Sequence, residues 1–367
     1  MSLQSSTDEK LPSEWSDICQ KKSNLFSSEH VSSLIPKLSA TAHKGSHGRV
    51  AIFGGSEKYT GAPYYAASAA LSCGVDLATI FCAQEASIPI KCYSPELMVQ
   101  SVYSVEELDK FSREDVELTA MLEKEENNEQ FQLAEKRKHL RNKQQRSLEK
   151  TVSAVTAVFP SLHALCIGPG MGRHKLLFPA VSVIIEKAIE CNLSLVLDAD
   201  ALYMLSLDEY RDLLFRLIKY EKVVMTPNLM EFRRLKDTFQ KANGQKSNKC
   251  TIVQKGSSDI ITQQPMTLEC KEKGGLKRSG GIGDVLAGVI SAFIAWNTIL
   301  RNDFNENKYA TPHQDRLLAT WTACCAVKKA TCRAFERKAR TMSAQHVLED
   351  IGDVIKEMEE DLECEKQ

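Results

Sequence analysis

The sequence predicts an α/β protein in which helices cover both faces of a mainly parallel sheet. Short apolar runs recur along the chain, and each ends in a turn rich in Gly, Pro or Asp. The runs are RVAIFGGS (49–56), VDLATIFCA (75–83), HALCIGPGMG (163–172), LSLVLDADAL (193–202), KVVMTPNLMEF (222–232) and CTIVQKGSSDII (250–261). Helical patterns such as APYYAASAALSCG (62–74) lie between them. This alternation of strand, loop and helix indicates parallel strands, whose carboxyl ends share one edge where ligands bind.

Length and composition are those of a globular protein. The chain has 367 residues, of which 43% are hydrophobic, and its formal net charge is −1. A near-neutral charge gives no reason to expect nucleic acid as the main partner. We expect a polar tail over residues 1–23 and a single domain over residues 24–365, with a possible homo-oligomer as its assembly.

The cysteines and the hydropathy pattern favour a cytoplasmic protein. The twelve cysteines form no CxxC pair, and most stand in apolar runs, so we interpret them as reduced core residues. The N-terminus is polar and mixed in charge, without a secretory pattern. The longest apolar run, residues 285–296, is too short to span a bilayer, and we expect no membrane contact.

A charged segment at about residues 111–150 interrupts the alternation. It contains no Gly or Pro, its first half is acidic, and its second half is basic. Because it lacks a sustained apolar stripe, we expect a solvated helix or a partly disordered insertion, with partner binding as the alternative. A second polar stretch, residues 301–314, is expected to be a surface loop.

RSGGIGDVLAG (278–288) is the most informative loop, because it places four glycines around one carboxylate before an apolar run. The run from Val285 to Trp296 predicts a buried helix that begins near these glycines. Free amides and the positive end of the helix dipole would then form an anion hole. Asp284 would lie in the first turn, where we expect the same field to keep it ionised and able to accept a proton. The alternative is that Asp284 only caps the helix.

The other strand ends carry weaker signals, each with a plain structural alternative. GPGMG forms either a ligand contact or simply a tight turn. Asp198 and Asp200 bind a metal or a hydroxyl, or Asp200 caps a helix. Asn228 and Glu231 contact a ligand, or Asn228 is an N-cap. QKGSSD (254–259), with Lys255, Gly256 and Asp259, contacts a ligand or is an ordinary β-turn. The sequence offers no Ser-His-Asp, Cys-His or zinc-ligand pattern.

Taken in chain order, these loops resemble those of the ATP-dependent NAD(P)H-hydrate dehydratases, which have a ribokinase-like fold. The resemblance covers about residues 43–295, and the insertion and TPNLMEF look more like the eukaryotic stand-alone form. The matching segments are HKGSHGRVAIFGGSEKYTGAPYYAASAAL (43–71), IGPGMG (167–172), LVLDADAL (195–202), TPNLMEF (226–232), VQKGSSD (253–259) and SGGIGDVLAG (279–288).

The resemblance implies a repair reaction on the S form of hydrated NADH or NADPH. ATP would phosphorylate the added hydroxyl, with Mg²⁺ bridging the ATP phosphates, and loss of phosphate would restore the ring. Asp284 would be the base, and Gly280, Gly281 and Gly283 would hold the transferring phosphoryl group. The implied substrate-binding residues are Gly170, Gly172, Asn228, Leu229, Met230, Glu231, Phe232, Arg233, Arg234 and Asp284. The implied ATP-binding residues are Lys255, Gly256, Ser257, Ser258, Asp259, Gly274, Gly275, Leu276, Lys277, Arg278, Ser279, Gly280, Gly281, Ile282 and Gly283. The metal ligands are left unassigned.

Two departures and two rival functions accompany this interpretation. Ile282 stands where the family more often has Thr or Gln. No segment resembles the epimerase that interconverts the R and S hydrates, so that epimerase would be a separate protein. One rival is a ribokinase-like kinase of a small alcohol such as a hydroxymethylpyrimidine or a thiazole. The other is a nucleotide-binding sensor without turnover.

Overall fold

A computed structural model describes residues 33–124, 129–243, 248–303 and 312–364. The predicted tail over residues 1–23 lies outside these ranges. In the described part the strands are β1 Arg49–Phe53, β2 Leu77–Ala83, β3 Met98–Tyr103, β4 Ala164–Ile167, β5 Ser194–Leu197, β6 Val223–Met225, β7 Thr251–Gln254, β8 Asp259–Gln263 and β9 Met266–Cys270.

These strands form one sheet in the order β3-β2-β1-β4-β5-β6-β7-β8-β9. All neighbours from β3 to β7 are parallel, and the pairs β7–β8 and β8–β9 are antiparallel. The predicted mainly parallel sheet is therefore confirmed. From β1, the strands that come next in the chain, β2 and β3, lie on one side, and β4 and the later strands lie on the other. The strand order therefore reverses between β1 and β4, and a crevice opens at the carboxyl edge of the sheet at such a switch point.

The helices are α1 Gly61–Cys73, α2 Gln84–Tyr93, α3 Val105–Lys124, α4 Gln130–Thr156, α5 Phe178–Glu190, α6 Ala199–Leu205, α7 Arg211–Lys219, α8 Leu229–Asn243, α9 Ile282–Asp303, α10 Pro312–Lys338 and α11 Ala344–Cys364, with 3₁₀ turns at Phe159–Ser161, Asp208–Tyr210 and Ala339–Thr341. Every residue of β4, β5 and β6 is buried. Because alternate strand residues point to opposite faces, helices cover both faces, as predicted.

The central helix is α9, which includes the predicted buried helix and extends it at both ends. It packs on β1, β4 and β5 and against α1 and α10. A Cβ added at Gly288 would lie 2.0 Å from the Ala66 carbonyl oxygen, so this glycine permits close contact with α1. By length and composition the segment Ile282–Arg301 would also suit a membrane span, but 78% of it is buried inside the protein. The prediction of a run too short to span was therefore wrong about length, and the burial identifies a core helix.

The charged segment forms helices α3 and α4, which begin before residue 111 and end after residue 150. Its described part is helical, one of the two predicted outcomes, and within it the apolar residues that α4 buries are only the widely spaced Leu133, Leu140 and Leu148, followed by Val152 and Val155. Single leucines among many charges are sufficient because the C-terminal part of α4 packs on β3 and α5. Asp109 of α3 also contacts His174, which follows GPGMG, at 3.2 Å.

Other differences from the sequence predictions are local. Strand β3 was missed because it is an edge strand with only one buried position, and the run CTIVQKGSSDII forms two antiparallel strands, β7 and β8, joined by the turn that was the alternative for QKGSSD. The predicted surface loop over residues 301–314 overlaps the end of α9 and the start of α10, and residues 304–311 lie outside the described ranges. The cysteines with described side chains are all free, and most are buried.

Candidate active site

The start of α9 lies at the carboxyl edge of the sheet and forms the centre of the candidate site. Gly281 has φ +93°, and a Cβ there would lie 2.8 Å from Cβ of Ala344, so only glycine fits this turn. A Cβ at Gly280 would meet nothing within 4 Å, which leaves the approach open. Within the described residues, no protein group accepts a hydrogen bond from the amides of Gly281 or Gly283. The predicted anion hole is therefore sterically possible, with Ile282 partly buried against the core.

Asp284 lies in the first turn of α9, as predicted, but its ionisation differs from the prediction. Burial, with a smaller contribution from the nearby Asp198 carboxylate, raises the pKa of Asp284 to about 7, and Lys255 partly opposes this rise. The carboxyl is therefore only partly ionised at neutral pH, where the sequence predicts an ionised group, because burial penalises the charged form. A pKa near neutrality suits a group that takes up and releases a proton.

A buried ion pair lies beside Asp284. The Nζ atom of Lys255 donates to Oδ1 of Asp198 at 2.6 Å, and the side chains are 19% and 2% exposed. Burial alone would lower the pKa of Lys255, but Asp198 raises it, so the ammonium stays charged. A Cβ at Gly283 would lie 3.7 Å from this ammonium, which places a positive charge at the anion hole.

Asp200 is also committed to protein partners. Its carboxylate accepts from the Gly172 amide at 2.9 Å and from Nε of Arg173 at 2.8 Å. The Arg173 guanidinium lies 4.2 Å from the centre of the Tyr203 ring. Asp200 thus fixes the loop after β4, and the described residues contain no cluster of three or more His, Cys, Asp or Glu side chains suited to a metal.

The two predicted ATP-binding segments are joined by α10. Lys328 donates to the carbonyl oxygens of Gly256 and Ser257 at 2.8 and 3.0 Å and lies 3.4 Å from Asp259. On the same helix, Thr331 accepts from the Gly275 amide at 3.2 Å. Sequence reasoning missed Lys328, because AVKKATCRAF has only the pattern of an ordinary amphipathic helix.

Within these segments the side chains divide into internal and solvent-facing groups. The Asp259 carboxylate closes the predicted turn by accepting from the Gly256 amide at 2.8 Å, and Gly274 lies against Lys328 and Thr331. Ser258 and Ser279 are partly exposed. The exposed side chains are those of Ser257, Leu276, Lys277 and Arg278.

The polar side chains at the start of α8 form hydrogen bonds with the backbone of the same segment. Oδ1 of Asn228 accepts from the amides of Met230 and Glu231 at 2.9 and 3.0 Å, and Oε2 of Glu231 accepts from the Asn228 amide at 2.8 Å. This reciprocal capping confirms the N-cap alternative for Asn228. Leu229 and Met230 are 49% and 56% exposed and remain available to a ligand. Arg233 and Arg234 are exposed, and Phe232 packs against the core.

The GPGMG loop is a tight turn, which was the alternative to a ligand contact, and it packs beneath the segment that follows β1. Gly168, Gly170 and Gly172 all have positive φ. A Cβ at Gly170 would lie 2.7 Å from the Tyr59 carbonyl oxygen, so Gly170 is buried beneath the segment that follows β1. Gly172 is partly exposed. The loop shapes the crevice at the switch point between β1 and β4.

Tyr65 of α1 was not selected from the sequence, yet it borders the anion hole. A Cβ at Gly281 would lie 2.9 Å from its ring. Burial raises the pKa of Tyr65, and Tyr64 and Asp284 add to the effect. Tyr64 packs against both Tyr65 and Tyr93 with ring centres 5.3 Å apart. These rings form an aromatic wall next to Asp284.

Comparison with known proteins identifies relatives of this arrangement. A family profile described as NAD(P)H-hydrate dehydratase matches residues 50–139 and 118–352. Proteins named ATP-dependent (S)-NAD(P)H-hydrate dehydratase are similar to the chain. That of Entamoeba histolytica is 33% identical over 88% of this chain and 92% of its own length. That of Homo sapiens is 31% identical over 88% and 81%.

Solved structures share the fold. A ribokinase-like superfamily protein from Enterococcus faecalis superimposes with a TM-score of 0.62, at 19% identity, over 90% of this chain and 94% of its own. An ADP/ATP-dependent NAD(P)H-hydrate dehydratase from Bacillus subtilis, co-crystallised with ATP and Mg²⁺, gives 0.53 at 18% identity over 90% and 96%. At these identities the likeness establishes the ribokinase-like fold alone.

Proposed function

The chain belongs to the ATP-dependent NAD(P)H-hydrate dehydratase family, and we propose that Asp284 is the base of its reaction. As a member of this family, the enzyme uses ATP to remove water from the S form of hydrated NADH or NADPH. The observation that carries the assignment is the start of α9, where Asp284 lies beside bare amides and the Lys255 ammonium.

The first step is phosphoryl transfer. Asp284 takes the proton from the substrate hydroxyl, the hydroxyl oxygen bonds to the γ-phosphorus of ATP, and the bond to the β,γ-bridging oxygen breaks to release ADP. The amides around Gly281 and Gly283 and the ammonium of Lys255 stabilise the negative charge on the transferring group. Positioning and charge stabilisation are the main requirements of such a transfer, and this site supplies both.

The second step is elimination. The lone pair of the ring nitrogen forms a double bond to the adjacent carbon. At the same time the bond between that carbon and the phosphate oxygen breaks, and inorganic phosphate leaves. Loss of a proton from the neighbouring ring carbon then restores the dihydronicotinamide. Phosphorylation matters because phosphate leaves far more readily than hydroxide.

ATP enters this scheme as a magnesium-bound substrate. Asp198 is committed to Lys255, and Asp200 to Arg173 and Gly172, so among the described residues no acidic cluster forms a separate cage for the ion. This fits Mg²⁺ carried mainly by the ATP phosphates, which is its usual mode in such enzymes. The turn at residues 255–259 and the segment 274–279 would hold the nucleotide, joined by Lys328.

The hydrated dinucleotide would lie between α8, the GPGMG loop and the aromatic wall. Leu229 and Met230 offer apolar contacts at the start of α8. Tyr65 offers a ring face next to Asp284, where the nicotinamide ring must lie for its hydroxyl to react. The capping pair Asn228–Glu231 would act indirectly, by fixing the backbone of this segment.

Stoichiometry tests the proposed function. Purified protein is incubated with ATP, Mg²⁺ and NADH hydrate while ADP and the reduced-nicotinamide absorbance are followed together. One NADH per ADP is the expected result. ADP without NADH would instead identify a kinase of the ribokinase-like group, and neither product would favour a sensor without turnover.

The cellular setting remains a proposal of the same kind. We expect a cytoplasmic enzyme, consistent with free cysteines among the described residues, and fluorescence microscopy of a tagged chain tests this. Because only the S form is used, a separate epimerase would supply it from the R form, so adding one should raise the yield from mixed hydrate toward completion. A possible homo-oligomer is tested by light scattering.

A further inference from the structure

Asp198 stands at the N-cap of α6 but does not cap it. Its backbone has the extended conformation typical of an N-cap, with φ −135° and ψ 164°, yet its side chain makes no capping hydrogen bond. Aspartate at this position ordinarily accepts from the second or third amide of the helix. Some other interaction therefore holds this carboxylate.

That interaction is with Lys255, from a neighbouring loop. The carboxylate is 2% exposed and accepts from the ammonium at 2.6 Å. The Lys255 amide donates to the Pro227 carbonyl oxygen at 3.0 Å, so the backbone fixes one end of the lysine and Asp198 fixes the other. The ammonium is consequently held beside Gly283, 3.7 Å from where a Cβ would lie.

The backbone around Asp198 is shaped to permit this orientation. Ala199, the next residue, has φ +47°, which is rare for a residue with a side chain. Gly168 has φ +124°, and a Cβ there would lie 1.8 Å from the Asp198 carbonyl oxygen. Such conformations persist where the surroundings enforce them, and they concentrate at functional sites.

We propose that Asp198 is a positioning residue, which holds the Lys255 ammonium at the start of α9 and sets the charge around Asp284. The inference rests on the proposed function, because the held ammonium would face the transferring phosphoryl group. Asp198 does not touch the reacting atoms in this account. It acts through Lys255 by contact and through Asp284 by its field.

The groups that influence Asp284 are few and can be named. Asp198 and Asp200, on either side of the start of α6, raise the pKa of Asp284, and Lys255 of the loop after β7 lowers it. Tyr65 of α1 and the buried Cys166 of β4 interact electrostatically with Asp284, and Glu231 of α8 interacts with Asp198 and Lys255. Removing the Asp198 charge should therefore lower the apparent pKa of the base.

The test is Asp198→Asn, with Asp208→Asn as the matched control. Asp208 is 87% exposed and lies in the 3₁₀ turn that follows α6. We expect Asp198→Asn to lower kcat about 30- to 100-fold, while the Kd for ATP changes less than about 5-fold. The acid limb of the pH profile of kcat/KM should shift to lower pH. A merely structural Asp198 would lower the melting temperature without moving this limb, and that outcome would overturn the proposal.

Asp198→Glu separates position from charge and serves if the amide variant fails to fold. It retains the carboxylate but displaces the ammonium by one methylene. The acid limb of the pH profile of kcat/KM should stay at its wild-type position, while kcat falls about 10-fold. Wild-type kcat in this variant contradicts a positioning role.

Asp284→Asn distinguishes the failure of this inference from that of the proposed function. If Asp284→Asn is inactive and both Asp198 variants have wild-type kinetics, only the role of Asp198 is wrong. If Asp284→Asn keeps its turnover, the base itself has been misassigned.

Discussion

Helices α8 and α9 begin at the same edge of the sheet and use their first amides in opposite ways. At α8 the side chains of Asn228 and Glu231 bond the amides of the first turn reciprocally. At α9 glycines take the place of capping side chains, and within the described residues the amides of Gly281 and Gly283 have no protein acceptor. The first arrangement stabilises a helix, and the second leaves an anion site.

This difference separates two segments that were both candidate ligand sites in the sequence, the one at α9 with the stronger signal. Both follow strands and both contain a carboxylate in the first helical turn. At α8 the carboxylate of Glu231 completes a capping box, whereas at α9 Asp284 is left beside Lys255 and has a pKa of about 7. The start of a helix therefore indicates an anion-binding site only when the side chains of that helix do not accept hydrogen bonds from its first amides.

The largest expected effect is that of Asp284→Asn, which removes the base and keeps the shape. Turnover should fall by about 10³-fold or more, since general bases contribute up to roughly 10⁴-fold. Affinity for ATP, measured by calorimetry, should stay within about 3-fold. Turnover reduced by less than 10-fold would assign the proton to another group.

Gly283→Ala tests the anion hole without disturbing the fold. The new methyl group would meet only Nζ of Lys255 at 3.7 Å, an ordinary contact, so the free energy of unfolding should be unchanged or rise by up to about 1 kcal/mol. Because the methyl group points to the ammonium that faces the phosphoryl group, kcat should fall about 10- to 100-fold. Gly352→Ala in α11 is the control for the change in helix propensity. Equal kcat in the two variants would refute an anion hole at this position.

Lys328→Met tests the link between the nucleotide-binding segments. It removes the hydrogen bonds to Gly256 and Ser257 while keeping most of the aliphatic stem. We expect KM for ATP to rise about 10-fold with kcat within about 3-fold, because the turn is loosened and the base is untouched. Lys329→Met, on the next residue of α10, is the control. A loss confined to kcat would place Lys328 at the chemical step instead.

Asn228→Ala should give the opposite balance at α8. Loss of the N-cap should lower the free energy of unfolding by about 0.5–2 kcal/mol in chemical denaturation. KM for the hydrate should rise only a few-fold because the segment loses its fixed backbone, with kcat close to wild type. A large fall in kcat would show that this helix start contributes to catalysis and would remove the contrast with α9.

Much of the fold and part of the site could be predicted from the sequence. Parallel strands and the buried helix α9 followed from apolar runs bounded by Gly, Pro and Asp, because burial on both faces imposes that pattern. The antiparallel strands β8 and β9 and the edge strand β3 did not, since each mixes polar and apolar residues and lacks the continuous apolar run of a strand buried on both faces. The widely spaced buried leucines of α4 were hidden among charges because single leucines sufficed for packing.

The site differs from its prediction wherever long-range contacts decide. The loop at residues 278–288 could be interpreted because glycines and a carboxylate lie within one segment. The pairing of Asp198 with Lys255 joins residues 57 positions apart, and Lys328 reaches 72 positions back to Gly256, so neither has a local signal. The pKa of Asp284 likewise depends on burial by elements far along the chain.

The most direct test of the site is the pH dependence of stability in wild type and Asp284→Asn. Because the folded-state pKa of Asp284 lies near 7, above its unfolded value, wild-type stability from this group declines as pH rises from about 4 to 7. The account predicts that Asp284→Asn is more stable than wild type at pH 8 by about 1–3 kcal/mol, after allowance for partial solvation, and that this difference vanishes near pH 4. A variant that is less stable than wild type at pH 8 would show that Asp284 is only a helix cap and would contradict the account.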